Sequence, residues 1–343
     1  MTRSRAALAF ALCATACAGS NERPPASLVE RSHVSMGSEV RLTAWAPDDA
    51  ATVGAFAKVF DEFDRLDRLM SIWREGSDVL RINAAAGGAA VPVSPEVREI
   101  IRDAREVSEW TGGKFDVTFG ALSGMWKFDH DLDGRVPSRT EIAARLPLID
   151  YRALEIDEHA GTARLAQPGM KLHLGGIGKG YAVDRAVEIL RKAGLNDFMI
   201  QSGGDLYLGG RRGERPWRAG IQDPRGPANS SFAAVDLTDA AISTSGDYER
   251  FFMKDGRRYH HILDPDTGEP AQGCRSVSIV AESSTLADGL ATGVFILGAD
   301  AGMALIERLP GVEGVVVAAD NRVIVSSGLK ERLVLLRQPT DAP

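Results

Sequence analysis

The side chains best spaced for chemistry lie in the last fifth of the chain. Thr285-Leu286-Ala287-Asp288-Gly289-Leu290-Ala291-Thr292 follows Ser283-Ser284, and a serine ahead of an apolar run caps a helix N-terminus. Asp288 and Thr292 then sit four residues apart on one helical face. A carboxylate and a hydroxyl on successive turns are hard oxygen donors, which Mg²⁺ accepts together with water, carbonyls and phosphate. Standing alone, the pair would be read as a solvated Asp and a helix-interior Thr.

A second segment, Leu174-Gly175-Gly176-Ile177-Gly178-Lys179-Gly180-Tyr181, places four glycines in six residues ahead of a helix that carries Asp184. Missing Cβ atoms let a ligand approach the backbone, and a helix N-terminus offers free N–H groups to an anion. The spacing matches neither the P-loop nor GxGxxG, so a tight structural turn accounts for it equally well. The third segment is Tyr259-His260-His261-Ile262-Leu263-Asp264-Pro265-Asp266-Thr267-Gly268. Its Asp-Pro-Asp-Thr-Gly is turn chemistry. Adjacent histidines point apart and have no correctly spaced third ligand for zinc, which leaves an acid/base histidine as the functional reading.

Shorter clusters accompany these. They are Met70-Ser71-Ile72-Trp73, Thr111-Gly112-Gly113-Lys114-Phe115-Asp116-Val117-Thr118, Gln201-Ser202-Gly203-Gly204-Asp205 and Ile242-Ser243-Thr244-Ser245-Gly246-Asp247-Tyr248. Packing and glycine capping explain part of each.

The elements that must position these groups are legible as periodicities. Val34 to Ala46 reads as a strand broken after Met36 by Gly37. Val53, Phe56, Val59, Phe60, Phe63, Leu66 and Met70 recur at helical spacing over 49–70. Further helices are expected at 96–110, 180–193, 284–296 and 300–308, and a polar loop with a short helix over 133–146. Strands are expected at 154–156, 198–200, 219–221, 233–237, 277–280, 314–318 and 323–326. Strands outside regular βαβ spacing predict an α+β fold.

The chain has 343 residues, 44% hydrophobic and 25% charged, with 40 Lys+Arg against 47 Asp+Glu and a net charge of −7. That is a globular composition. With no Lys/Arg-rich block, nucleic acid is not its main partner. Arg3 and Arg5 precede an apolar stretch at 6–16, too short for the roughly 20 residues that cross a bilayer and suited to a secretory leader. Ala14-Thr15-Ala16-Cys17 resembles a bacterial lipobox, with Ala where an aliphatic residue is usual. The alternative is an ordinary signal peptide cut near Ala16 or Ala18. The expected organisation is a signal peptide at 1–16, a tether at 17–32 lipidated on Cys17, and one domain over 33–338. The product is expected on the periplasmic side of a bacterial membrane, lipid-anchored. Of Cys13, Cys17 and Cys274, only Cys274 then remains, as a packing residue.

The order and spacing of these segments resemble the ApbE-type FAD:protein FMN transferases over about residues 36–329. The likeness rests on Met36-Gly37-Ser38, 70–74, 112–118, 174–181, Gly203-Gly204-Asp205, 243–248, 261–268 and 287–292. It implies a T-fold-related ApbE-like domain with an FAD cleft. It also implies Mg²⁺ held by the side chains of Asp288 and Thr292 and the carbonyl of Gly176. Met36, Trp73, Lys114, Phe115, Asp116, Lys179 and His261 align with flavin-nucleotide contacts. Trp73 stands where the family often has Tyr, which preserves stacking on the isoalloxazine. His173 stands where the family usually has Asp, placing a different charge at the nucleotide site, and Gly178 replaces a common Ala.

The implied reaction is Mg²⁺-dependent transfer of FMN from FAD to a Ser or Thr hydroxyl of an exported acceptor, a respiratory or redox subunit, with release of AMP. His261 is the candidate base and Asp288 its alternative. Rival readings keep the site but let water attack, giving an FAD pyrophosphatase, or bind the flavin without turnover.

Overall fold

The computed structural model describes residues 26–128 and 131–342. The expected signal peptide, Cys17 and the tether up to residue 25 lie outside the described residues. A strand already begins at Ser27, so 27–32, expected to be tether, are paired into the sheet.

The Met36-Gly37 break is a hairpin. Ser27–Ser35 and Ser38–Ala46 pair antiparallel, with Ser35 opposite Ser38. Met36 and Gly37 take φ of 49° and 75°, the left-handed pair that a two-residue primed turn requires. Met36 holds this conformation without glycine's freedom.

That hairpin starts an eight-stranded sheet. It continues with Phe198–Ser202, Asp205–Gly209, Ala240–Gly246, Cys274–Ala281, Glu313–Ala318 and Val323–Val325. The strands lie side by side in chain order, each antiparallel to its neighbour. The helices are α1 (Asp49–Met70), α2 (Asp78–Ala84), α3 (Pro95–Trp110), α4 (Arg139–Ala143), α5 (Gly178–Lys192), α6 (Ser284–Leu297) and α7 (Ala299–Ile306). Segregated helices on an antiparallel sheet make the fold α+β, as expected. Among the described residues no helix is long and apolar enough to cross a membrane.

One face of the sheet carries α1, α5 and α6, with Phe56, Phe63, Val183, Ala186, Leu290 and Val294 packed on Leu42, Ile200, Val277 and Ile279. On the other face, Leu208, Ile242, Val280 and Val315 meet Trp217, Phe232 and Val235. These last belong to a four-stranded sheet of Arg211–Arg212, Arg215–Gln222, Ser231–Leu237 and Leu333–Leu335. Because strand side chains alternate, Ala241 and Ile242 part to opposite faces. Ser243 and Ser245 therefore follow Ala241 toward the helices, and Asp205 shares that face with Tyr207.

Cys274 is buried, and burial pushes its thiol up to about 12. That is the environment of a packing residue.

Candidate functional site

α6 is buried almost all round, so its two central polar groups need partners within the fold. Its N-cap is Ser283, whose hydroxyl accepts from the Leu286 N–H at 3.2 Å. Asp184 of α5 fastens this end. Its carboxylate accepts from Ser283 Oγ at 2.7 Å, Ser284 N at 2.7 Å, Thr285 N at 2.9 Å and Thr285 Oγ1 at 2.7 Å.

With α6 tied to α5, Asp288 meets the glycine turn. Its Oδ2 accepts the Gly180 N–H at 3.0 Å. A carboxylate at the N-terminus of α5 also gains from that helix's dipole. Lys179, one residue earlier, reaches Asp205 Oδ2 at 2.8 Å and Asp288 Oδ2 at 3.6 Å. Asp205 also accepts a hydrogen bond from the Ser243 hydroxyl. Burial pushes the Asp288 carboxyl up to about 7, the charge of Asp205 adds to this, and Lys179 opposes it. The two carboxylates hold Lys179 well above the ordinary lysine value against the cost of its own burial.

One turn on, Thr292 Oγ1 lies 3.2 Å from Ser245 Oγ. A Cβ built on Gly176 would stand 3.6 Å from that same Thr292 oxygen. The glycine turn and the α6 hydroxyl therefore face each other. Among the described residues, no hydrogen bond falls on Asp288 Oδ1, and no group of three or more His, Cys, Asp or Glu could hold a metal. A cation here would have to be held as Mg²⁺ often is, by one carboxylate, a hydroxyl, a backbone carbonyl and non-protein oxygens. The donor set of Asp288, Thr292 and Gly176 fits that description, and a buried carboxylate with a raised pKa is the group a cation would relieve.

The remaining sequence-marked residues fall into four groups. Met36 joins the site, with its Cε 3.7 Å from where a Gly178 Cβ would stand. The Gly203 turn borders Lys179, whose Cε would lie 3.7 Å from a Cβ at 203.

Phe115 and Asp116 are buried beneath the turn. The Phe115 ring would lie 3.2 Å from a Gly176 Cβ. Asp116 spends its carboxylate on Thr118 N (2.7 Å), Thr118 Oγ1 (2.6 Å) and Tyr151 N (2.8 Å). Lys114 pairs with Asp264 at 2.8 Å and Asp266 at 2.8 Å, linking this loop to the histidine turn.

Trp73 stands 76% exposed on the loop after α1. His173 accepts the Gly175 N–H on Nδ1 at 3.0 Å and leans on the Phe119 ring, so its side chain shapes the entry to the turn.

The two histidines sit in different surroundings. His260 is core: Nε2 bonds the Ala271 carbonyl at 2.7 Å and the ring packs edge-on against Phe295. His261 is half-buried, with its backbone N–H on Arg250 O at 3.1 Å. Desolvation holds it well below the ordinary histidine value, and the charges of Arg250 and Lys179 act the same way.

Asp205, Ser243 and Ser245 stood in the sequence only as members of short clusters without a role. The signal that could have assigned them is the two-residue alternation that turns all three toward the helices.

Comparison with known proteins returns one family. A model described as the ApbE family matches residues 36–316. A Treponema pallidum protein named FAD:protein FMN transferase is 34% identical over 322 residues, 89% of this chain and 89% of that one. A Vibrio cholerae protein of the same name is 34% identical over 253 residues, 72% of this chain and 75% of that one. Among solved structures, the ApbE protein of Thermotoga maritima superposes with a TM-score of 0.81 at 32% identity, covering 89% of this chain and 99% of that one. The flavin transferase ApbE of Vibrio cholerae gives a TM-score of 0.81 at 29% identity, covering 90% and 100%.

Proposed function

Since this chain belongs to the ApbE family, we propose that it is an FAD:protein FMN transferase that moves FMN from FAD to a Ser or Thr hydroxyl of an exported protein and releases AMP. The observation that carries the reading is that Gly176 lies against the Thr292 hydroxyl, one helical turn along α6 from the buried Asp288 carboxylate that the same glycine loop meets through Gly180. Mg²⁺ bound by those three residues would neutralise diphosphate charge.

The chain's own groups supply the rest. Lys179 adds fixed positive charge beside the phosphates. Met36, the exposed face of Trp73, Lys114 and His173 line the approach for the flavin nucleotide, while Phe115 and Asp116 set the shape of the loop beneath it. The acceptor oxygen attacks the FMN-side phosphorus, the bond from that phosphorus to the bridging oxygen breaks, and AMP departs with that oxygen. The acceptor's proton passes to His261, which its surroundings keep neutral and ready to accept it. We assign the base to His261 rather than Asp288, whose free oxygen is needed for the cation.

The leader places this chemistry outside the cytoplasm, with lipid on Cys17 as the anchor. The acceptor is then a subunit of an exported redox or respiratory assembly.

The deciding experiment incubates the protein with FAD, Mg²⁺ and an acceptor domain, followed by intact-mass analysis. An FMN adduct with matching AMP is expected, and its loss in Asp288→Asn. AMP without adduct would instead mark a pyrophosphatase, and neither product a flavin-binding protein.

A further inference from the structure

One ammonium in the site faces two buried carboxylates and divides itself unequally. Lys179 Nζ is 2.8 Å from Asp205 Oδ2 and 3.6 Å from Asp288 Oδ2. Asp205 is 2% exposed and Asp288 4%, so little water screens either pair. The two acids are held differently. Asp205 is seated by the Ser243 hydroxyl on its other oxygen. Asp288 is seated by the Gly180 N–H on the same Oδ2 that faces the lysine. Among the described residues no hydrogen bond falls on Asp288 Oδ1. An ammonium and a divalent cation compete for a carboxylate, so the side on which Lys179 rests decides whether Asp288 is available.

We propose that Asp205, anchored by Ser243, is a positioning residue that draws the Lys179 ammonium to itself and thereby keeps Asp288 open to a divalent cation. The inference rests on the cation reading given above. Ser243 and Asp205 come from neighbouring strands, paired directly opposite each other, so the sheet register itself fixes where the lysine is held. Without the charge at 205, Asp288 is the one carboxylate among the described residues left paired with Lys179, and the gap from 3.6 Å to hydrogen-bonding distance is within a lysine's flexibility.

The test measures Mn²⁺ binding, by the electron paramagnetic resonance signal of the free ion, to the full protein without FAD. Four proteins are compared: wild type, Asp205→Asn, Lys179→Met and the double variant. Asp205→Asn is expected to weaken binding about tenfold. Lys179→Met alone should change it by less than about threefold, and the double variant should return to within about threefold of wild type.

That non-additivity is the signature. If Lys179→Met raises affinity by the same factor in both backgrounds, Asp205 acts only as a nearby charge and the proposal fails. It fails equally if Asp205→Asn binds like wild type while Asp288→Asn does not bind. If wild type binds no ion sensitive to Asp288→Asn, the cation reading falls and this inference with it.

Ser243→Ala keeps both charges and only unseats Asp205, so it serves if Asp205→Asn does not fold by circular dichroism. A loss of about threefold is expected there, and unchanged affinity overturns the proposal.

Discussion

Gly180 gives its backbone N–H to Asp288 Oδ2 at 3.0 Å, and it can do so only because it has no side chain. A β-carbon at 180 would collide with the Ser284 carbonyl oxygen and stand 2.8 Å from Asp288 Cβ. Both obstacles lie on or next to backbone, so neither can rotate aside. The contact sets the spacing between α5 and α6, and with it the distance from the glycine turn to the carboxylate. Gly180→Ala should therefore cost at least about 2–3 kcal/mol. It should also abolish transfer by pushing Asp288 off position. Thermal melting and an FMN-adduct assay check the two effects separately.

Asp184 should prove a stability residue rather than a catalytic one. Its carboxylate receives four hydrogen bonds from residues 283–285. Losing them unseats the first turn of α6, at an expected cost of about 2–3 kcal/mol for Asp184→Ala. Urea unfolding measures it, and FAD turnover well below the midpoint should survive.

Cation ligation should be visible in the kinetics. Asp288→Asn should lower transfer about 100-fold or more, equivalent to several kcal/mol of lost transition-state stabilisation. Thr292→Val should leave the fold intact but raise the Mg²⁺ concentration needed for half-maximal rate. EDTA should stop the wild type, and restored Mg²⁺ should restart it. Nucleotide analysis of AMP and FMN follows each case.

The histidine at 261 predicts a pH signature. Burial and the positive charges of Arg250 and Lys179 hold its pKa below the ordinary value near 6.5. The neutral base therefore persists into mildly acidic solution, and the acid limb of kcat/KM should fall below pH 6.5. His261→Gln should remove that limb and lower the rate by about 10²–10⁴. For stability the sign follows from linkage: the folded chain takes up this proton less readily than the unfolded chain. Its contribution is thus full above 6.5 and declines as pH falls toward the folded value.

The proposed membrane attachment rests on Cys17, ahead of the described fold. Cells fed a palmitate analogue should label the wild-type protein and not Cys17→Ser, which should be recovered in the soluble periplasmic fraction. Label retained on Cys17→Ser would exclude lipidation at that position.

Much of this molecule is readable without coordinates. α1 spans 49–70 as its apolar period requires, and α3 and α6 begin and end within a residue of expectation. The Asp288/Thr292 pair shares a helical face simply because 3.6 residues make a turn. Elements without a strong period were not readable. α2 and the strands Thr162–Leu165, Asp205–Gly209 and Phe251–Lys254 are short. The Ser-Thr-Ser run at 243–245 hides the strand Ala240–Gly246 behind polar side chains. Residues 27–32 read as tether for a similar reason: an edge strand stays polar where one face is wet.

Local periodicity and motif order in the chain thus determined the α+β class, the main helices and the set of residues in which to look for chemistry. The tertiary structure decided which of them meet. Lys179 and Asp205 are 26 residues apart, Asp205 and Ser243 are 38, and Gly180 and Asp288 are 108. No periodic signal links positions so distant. Strand register and the close approach of two helices bring them together, because the energy of a buried charge is settled by its neighbours in space.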